Sequence, residues 1–190
     1  MDIDNNRAGT LVRETSRLTR LAVMVALATG IHALEAALPL PMPVPGARLG
    51  LANIITLLAL SLFGFKSGLL IAVLRVVLGS LLTGSFLGFG FWLSLLGGTV
   101  SCLIMAAAVR QVKRGIMTLI SASVLGAVTH NLAQLFVASL IVKNFTLFQG
   151  YFPLSVLLAL PTGLFTGAAA HYLEGIIRRF FKQTASRGGL

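Results

Sequence analysis

The sequence predicts an all-α integral membrane protein, a bundle of six transmembrane helices with both termini in the cytoplasm. Hydrophobic residues make up 56% of the 190 residues and charged residues only 11%, against about a quarter in soluble domains. Six spans of about 20 residues fit this length and leave chain for loops and tails. The net charge of +10 comes mostly from Lys and Arg beside the apolar segments, which is typical of cytoplasmic membrane flanks and not of a nucleic-acid-binding patch.

The first three spans are predicted from apolar runs and the breaks between them. Span 1 covers about residues 18–38 and ends where four prolines follow within residues 39–45, because proline lacks a backbone donor and restricts the residue before it. Spans 2 and 3 cover about residues 49–63 and 67–83, with Gly64 in the turn between them. Both are short, so we expect them to cross steeply or to sit partly within the bundle.

The last three spans are longer. Span 4 covers about residues 86–109, span 5 about 116–142 and span 6 about 153–177. A basic loop at 110–115 separates spans 4 and 5, and a polar loop at 143–152 separates spans 5 and 6. The prediction is therefore one membrane domain with short connections.

The distribution of Lys and Arg sets the predicted orientation. With the N-terminus inside, twelve of these residues fall in cytoplasmic segments, two in outer loops and one, Arg75, within span 3. Such an excess is typical of the cytoplasmic side. The single domain over residues 1–190 then has cytoplasmic tails at 1–17 and 178–190, which we expect to be mobile.

Arg75 is the most informative residue, because an ionisable group at bilayer depth is costly and usually faces the protein interior. Gly68, Ala72 and Gly79 share its helical face, and such small residues let other helices approach. The sequence leaves two roles open: a cation that binds an anionic group of a ligand, or one half of a structural ion pair.

Two groups in the outer half of the bundle are candidate partners. His32 and Glu35 lie about one turn apart on span 1, and Glu35 is the acidic residue well inside the apolar region. It is the natural partner of Arg75 or Arg48, and proton coupling or ligand binding is the alternative. Arg48 and Asn53 open span 2 from the outside, where Arg48 alone would serve as an interfacial anchor.

Span 5 carries polar residues on one face. His130, Asn131 and Gln134 form either a hydrogen-bonding wall for a polar ligand or contacts that hold helices together. Trp92 lies with other aromatic residues at the outer end of span 4, as an interfacial belt or as a stacking face for a planar ligand. These positions predict an outward-facing pocket for a small amphipathic molecule with an acidic group.

A different face of span 1 is a candidate docking surface. Ala22, Ala26 and Gly30 recur every four residues, roughly opposite His32 and Glu35. Such a stripe allows close contact with another helix, either within this chain or in a partner subunit.

Catalytic motifs are missing from the sequence. It has no P-loop, no aspartate cluster of the DDxxD type, no nucleophile motif and one cysteine, Cys102. No HxxxH or CxxC pair is present either. We therefore expect a binding or transport subunit, not an enzyme, without metal or cofactor.

Three segments resemble the Gx transporter family, which is also known as heptaprenyl diphosphate synthase component I. They are RLGLANIITL at 48–57, RVVLGSL at 75–81 and HNLAQ at 130–134, and the resemblance extends over about residues 17–180. That family is similar to the S components of energy-coupling-factor (ECF) transporters. The resemblance implies a six-helix bundle in a prokaryotic cell membrane that binds a vitamin or precursor from outside.

The resemblance also implies partners. S components dock on a T subunit that works with two ATPases, and an Ala-xxx-Ala stripe on the first helix makes that contact, which Ala22 and Ala26 match. The substrate would be a vitamin or an isoprenoid or quinone precursor. Two alternatives stay open: an accessory membrane component of a heptaprenyl diphosphate synthase, whose catalytic subunit would be the partner, and a standalone proton-coupled carrier.

Overall fold

Six α-helices account for nearly all of the computed structural model, which describes residues 2–38 and 48–187. Within these residues there is no β-strand. The helices are α1 (Asp2–Ala37), α2 (Asn53–Phe63), α3 (Phe65–Leu82), α4 (Phe89–Lys113), α5 (Leu119–Val142) and α6 (Phe145–Arg187). The predicted all-α class is confirmed. The proline-rich stretch that was predicted to end span 1 lies outside the described residues.

Five of the helices contain a segment long and apolar enough to cross a membrane. These segments are Glu14–Ala37, Phe65–Leu82, Phe89–Lys113, Leu119–Val142 and Phe145–Phe180. The protein is therefore a helical membrane protein of the multi-pass type. A sixth crossing is not established, because α2 has 11 residues and measures about 16 Å, against a hydrocarbon core of about 30 Å.

The short helix α2 is the central element of the bundle. It contacts all five other helices, and eight of its residues are buried. It runs antiparallel to α3, since its first residue, Asn53, bonds Arg75 while Leu60 lies against Gly68. It therefore begins at the depth of the Arg75 guanidinium. The non-helical residues 48–50, followed by a turn at 51–52, lead into it.

The outer helices extend further than the sequence predicts. The predicted tail 1–17 is helical from Asp2, and the predicted tail 178–190 is helical to Arg187. The predicted polar loop at 143–152 is instead helical from Phe145 onward, and α6 contains Pro153 and Pro161. Asn144 starts this helix, because its side-chain oxygen accepts a hydrogen bond from the Thr146 N–H at 3.0 Å.

Both ends of the chain leave the bundle at the same end. Arg20, near the start of the apolar part of α1, and Ile177, near the end of α6, line one cavity. We call this the terminal end and the other the far end. The assignment of the terminal end to the cytoplasm stays a prediction.

Candidate functional site

Seven of the predicted site residues meet in one buried group toward the far end, which we call the polar cluster. All of them are buried: His32, Glu35, Arg48, Asn53, Arg75, His130 and Gln134. They come from α1, the segment before α2, the start of α2, α3 and α5. Burial of so many polar groups is costly unless each finds a partner, so their contacts decide what the cluster can do.

The carboxylate of Glu35 binds backbone and not an arginine. Its Oε1 accepts hydrogen bonds from the N–H groups of Gly50 at 2.8 Å and Leu51 at 2.9 Å. These donors would otherwise be unpaired, because α2 begins only at Asn53. No ion pair of Glu35 with Arg48 or Arg75 exists among the described residues, so the structural ion pair considered from the sequence is not found.

Arg48 joins α1 and α5 to the segment before α2. Its guanidinium donates to Nε2 of His32, and its backbone N–H donates to Oε1 of Gln134 at 3.3 Å. Gln134 in turn contacts His130 through the two Nε2 atoms, 3.0 Å apart. Arg48 is buried and belongs to the cluster.

Arg75 is the most buried of the charged residues whose side chains the structure describes. It is 1% exposed and donates from one terminal nitrogen to Oδ1 of Asn53 at 2.7 Å. The backbone of α4 passes close by at Gly98, where an added Cβ would lie 3.3 Å from the same nitrogen. A glycine there lets α4 cover the guanidinium.

The cluster encloses little room. The space between its side chains is too narrow for a water molecule. Ser94 and Gly50 also line this space, and neither was predicted from the sequence. Ser94 shares a face of α4 with Gly97, Gly98 and Ser101, and this spacing of small residues was the available signal.

Several buried polar atoms in the cluster lack a hydrogen-bond partner within residues 2–38 and 48–187. They are Glu35 Oε2, Asn53 Nδ2 and Arg75 Nε, and Ser94 Oγ beside the cluster also lacks a partner. With the histidines counted as neutral, two arginines and one glutamate give the cluster a formal charge of +1. Unused donors and a positive charge together favour an anion.

Two predicted site residues lie outside the cluster. Asn131 turns toward α6, where its amide donates to the backbone oxygen of Ser155 at 3.2 Å, so it holds two helices together. Trp92 is 42% exposed and meets Phe91 edge to face, with ring centroids 5.2 Å apart. Phe91 meets Phe86 in the same way, and these rings do not line the space of the cluster.

The predicted docking stripe is on the surface. Ala22, Ala26 and Gly30 are exposed, whereas His32 and Glu35 on the same helix are buried. The stripe is thus open to another helix.

A second cavity lies toward the terminal end and differs in chemistry. This apolar groove has a volume of about 340 Å³ and is lined by α1, α2 and α6, with Val23, Leu27, Leu58, Phe63, Leu173 and Ile177 among its residues. Its surface is almost entirely apolar. Arg20 lies at the groove with its guanidinium 5.6 Å from the centre of the Phe63 ring.

Comparison with protein families found one match that spans most of the chain. The model described as heptaprenyl diphosphate synthase component I matches residues 24–173, a range that includes the whole polar cluster. Comparison with curated proteins and with solved structures found no match.

Proposed function

The chain belongs to the heptaprenyl diphosphate synthase component I family, and we propose that it is a membrane-embedded binding subunit that captures a small amphipathic anion in the polar cluster. As an S-component-like subunit it would take up a vitamin or an isoprenoid or quinone precursor. The observation that carries this proposal is the short helix α2, which begins inside the bundle at Asn53. It places the start of a helix and two arginines side by side inside the bundle.

The start of α2 supports anion binding through its backbone. Unpaired N–H groups and the helix dipole make a helix start electropositive. In membrane transporters, interrupted helices place such starts near the middle of the bilayer, where they face anionic groups of substrates. In this chain the Gly50 and Leu51 N–H groups point to one carboxylate oxygen, so they have the geometry to hold an anion.

The neighbouring side chains support the same class of ligand. Arg75 and Asn53 have unused donors directed into the bundle, and Arg48 lies next to them. Arginine suits carboxylates because its guanidinium can donate two parallel hydrogen bonds. The space is narrow, so a ligand has to displace a side chain that already fills it.

Movement of the ligand across the membrane would need partner subunits, because the sequence carries no ATP-hydrolysing motif. We propose that the exposed stripe of Ala22 and Ala26 docks a T-type membrane subunit that acts with two ATPases. Alanines at this spacing allow close helix contact.

The binding part is tested by calorimetric titration of the purified protein with octanoate, an amphipathic monocarboxylate. We expect saturable binding that octanol does not reproduce and that Arg75→Ala weakens at least tenfold, whereas Arg75→Lys retains part of it. Arg110→Ala, at an exposed position of α4, is the matched control. Equal affinity of wild type and Arg75→Ala would refute a ligand-binding role for Arg75.

The partner part is tested by affinity purification from native membranes in mild detergent, followed by mass spectrometry. We expect a T-type membrane subunit with two ATPases. An Ala22→Leu/Ala26→Leu variant should lose them, while Ala107→Leu, also exposed, should keep them. Recovery of a prenyl synthase subunit without ATPases would contradict the transport proposal.

The apolar groove favours a second candidate, an accessory membrane component of a heptaprenyl diphosphate synthase. Its lining suits an isoprenoid chain, and Arg20 stands beside it as a cation for a diphosphate head. The chain itself would not be catalytic in this role. A synthase that co-purifies with this chain and loses activity without it would support this candidate.

A further inference from the structure

Glu35 has the contacts of a bound ligand and not those of a salt-bridge partner. It is 5% exposed, and its Oε1 takes both backbone N–H groups at the approach to α2. A carboxylate held by successive backbone N–H groups near a helix start is a recurrent anion site in proteins. Here the carboxylate belongs to α1, and the N–H groups belong to the segment before α2.

The pairing of Glu35 is incomplete. Its second oxygen, Oε2, has no hydrogen-bond partner among the described residues, and neither arginine of the cluster forms an ion pair with it. Arg75 Nε and Asn53 Nδ2 are buried donors that also lack acceptors. A buried carboxylate that is held on one oxygen only is a replaceable occupant, because leaving costs fewer contacts than a fully paired ion would lose.

The formal charge of the polar cluster indicates which class of molecule could replace Glu35. If Glu35 leaves the cluster and one carboxylate takes its place, the formal charge stays at +1 and both backbone N–H groups keep an acceptor. Exchange with an uncharged group would leave two arginines uncompensated in the bundle, which is costly.

We propose that Glu35 is a built-in occupant of the anion site, and that the ligand is a monocarboxylate that binds by displacing Glu35 from the Gly50 and Leu51 N–H groups. This inference rests on the proposed binding function. It specifies the class of the ligand and the side chain that competes with the ligand for the site. It predicts that an acidic side chain in the site weakens ligand binding, because each ligand competes with it. The apparent affinity is then reduced by the fraction of molecules in which Glu35 occupies the site.

The first test compares octanoate affinity in variants of Glu35. Glu35→Gln keeps the size and an acceptor oxygen but loses the charge, so octanoate should bind about tenfold more tightly than to wild type if Glu35 occupies about nine tenths of the molecules. Glu14→Gln changes the same residue type at an exposed position of the same helix and should have no effect. Unchanged or weaker binding to Glu35→Gln would overturn the inference.

The second test needs no knowledge of the natural ligand. Glu35→Ala frees the two N–H groups and leaves room for a small anion. Sodium formate should raise the melting temperature of this variant in a concentration-dependent way, more than sodium chloride at the same ionic strength. Wild type and Glu14→Ala should show a much smaller formate-specific response, because Glu35 already occupies the two N–H groups in both of them. No formate-specific response of Glu35→Ala, or a larger response to inorganic phosphate than to formate, would overturn a carboxylate site.

The two proposals fail in different ways. If wild type shows no saturable octanoate binding, the proposed function fails, whatever Glu35 does. If that binding does depend on Arg75 but Glu35→Gln does not tighten it, only the built-in occupant is wrong. Should Glu35→Ala not fold, Glu35→Gln still decides the question.

Discussion

The two ends of α2 lie in opposite environments. Its start, at Asn53, belongs to the polar cluster, where charged and amide groups surround a space too narrow for water. Its end, at Leu62 and Phe63, lines the apolar groove, which has a volume of about 340 Å³. The crowded region is the polar one, and the open region is the apolar one.

The difference follows from what each surface requires. Buried polar atoms must approach partners to within hydrogen-bond distance, so they draw the helices together at the cluster. Apolar walls need no specific partner, and lipid chains are as apolar as the side chains, so a gap between α1 and α6 is tolerated. In the part of the chain that the structure describes, no Cα atom of α1 lies within 8 Å of a Cα atom of α6.

The largest effect on stability is expected from removing the acceptor of Arg75. Asn53→Leu leaves a buried guanidinium without its partner and should lower the free energy of unfolding by about 3–5 kcal/mol. Circular dichroism during denaturation in mixed micelles measures it. The double variant Arg75→Met/Asn53→Leu should recover much of this loss, because both polar partners are then apolar. A double variant that is less stable than Asn53→Leu would show that the charge itself stabilises the fold.

A smaller effect is expected from the crowding at Gly50. Gly50 and Gly64 have nearly the same positive φ, +82° and +84°, but only Gly50 has neighbours, with Asn53 Nδ2 2.9 Å from a built Cβ. Both Ala variants should lose about 1–3 kcal/mol from backbone strain. Gly50→Ala should lose more and also weaken octanoate binding. Equal losses of stability in the two variants would mean that the side chains around Gly50 move aside at little cost.

A polar contact at the terminal end should matter less than those in the cluster. Glu174 accepts from Ser61 on α2 at 2.6 Å and pairs with Arg178, whose side chain is 60% exposed. Exposed ion pairs contribute little, so Glu174→Gln should lower the unfolding free energy by less than about 1 kcal/mol in the same denaturation assay. A loss of unfolding free energy as large as that caused by Asn53→Leu would mean that polar contacts at the terminal end stabilise the fold as much as those in the cluster.

The smallest effect on stability is expected inside the groove. Val23 is 54% exposed and lines it, so Val23→Phe should change the unfolding free energy by no more than about 0.5 kcal/mol. The same variant should reduce binding of farnesyl diphosphate in a calorimetric titration if an isoprenoid occupies the groove. Val100→Phe, an exposed position of α4, is the control. Unchanged binding would remove the groove from the second candidate function.

The residues of the cluster could be predicted because ionisable groups are conspicuous in an apolar sequence. The residue types of Arg75, Glu35 and His130, their depth in the predicted spans and the helical faces that they share with other residues predict them as candidates. Their partners could not be predicted, since the acceptor of Arg75 is an amide and the donors to Glu35 are backbone groups. Backbone contacts carry no signature in the sequence.

The residue at which α2 begins could not be predicted from the sequence either. Residues 49–63 are almost uniformly apolar, so nothing separates the non-helical start from the helix. Tertiary contacts of Gly50 and Leu51 with Glu35 determine where α2 begins. The start of α6 did carry a signal, because Asn144 is a favourable N-cap residue, but the polar composition of the surrounding segment concealed it.

The contact of Glu35 with the segment before α2 has a consequence for biosynthesis. It joins residues 15 and 16 positions apart, whereas the contact between Arg48 and Gln134 joins residues 86 apart. In a chain made from its N-terminus, both partners of the first contact are available well before Gln134 has been made, so we expect this contact to form before the one between Arg48 and Gln134. The Gly50 and Leu51 N–H groups thus gain an acceptor in Glu35 early, and we expect the later helices to pack against a segment that is already fixed to α1.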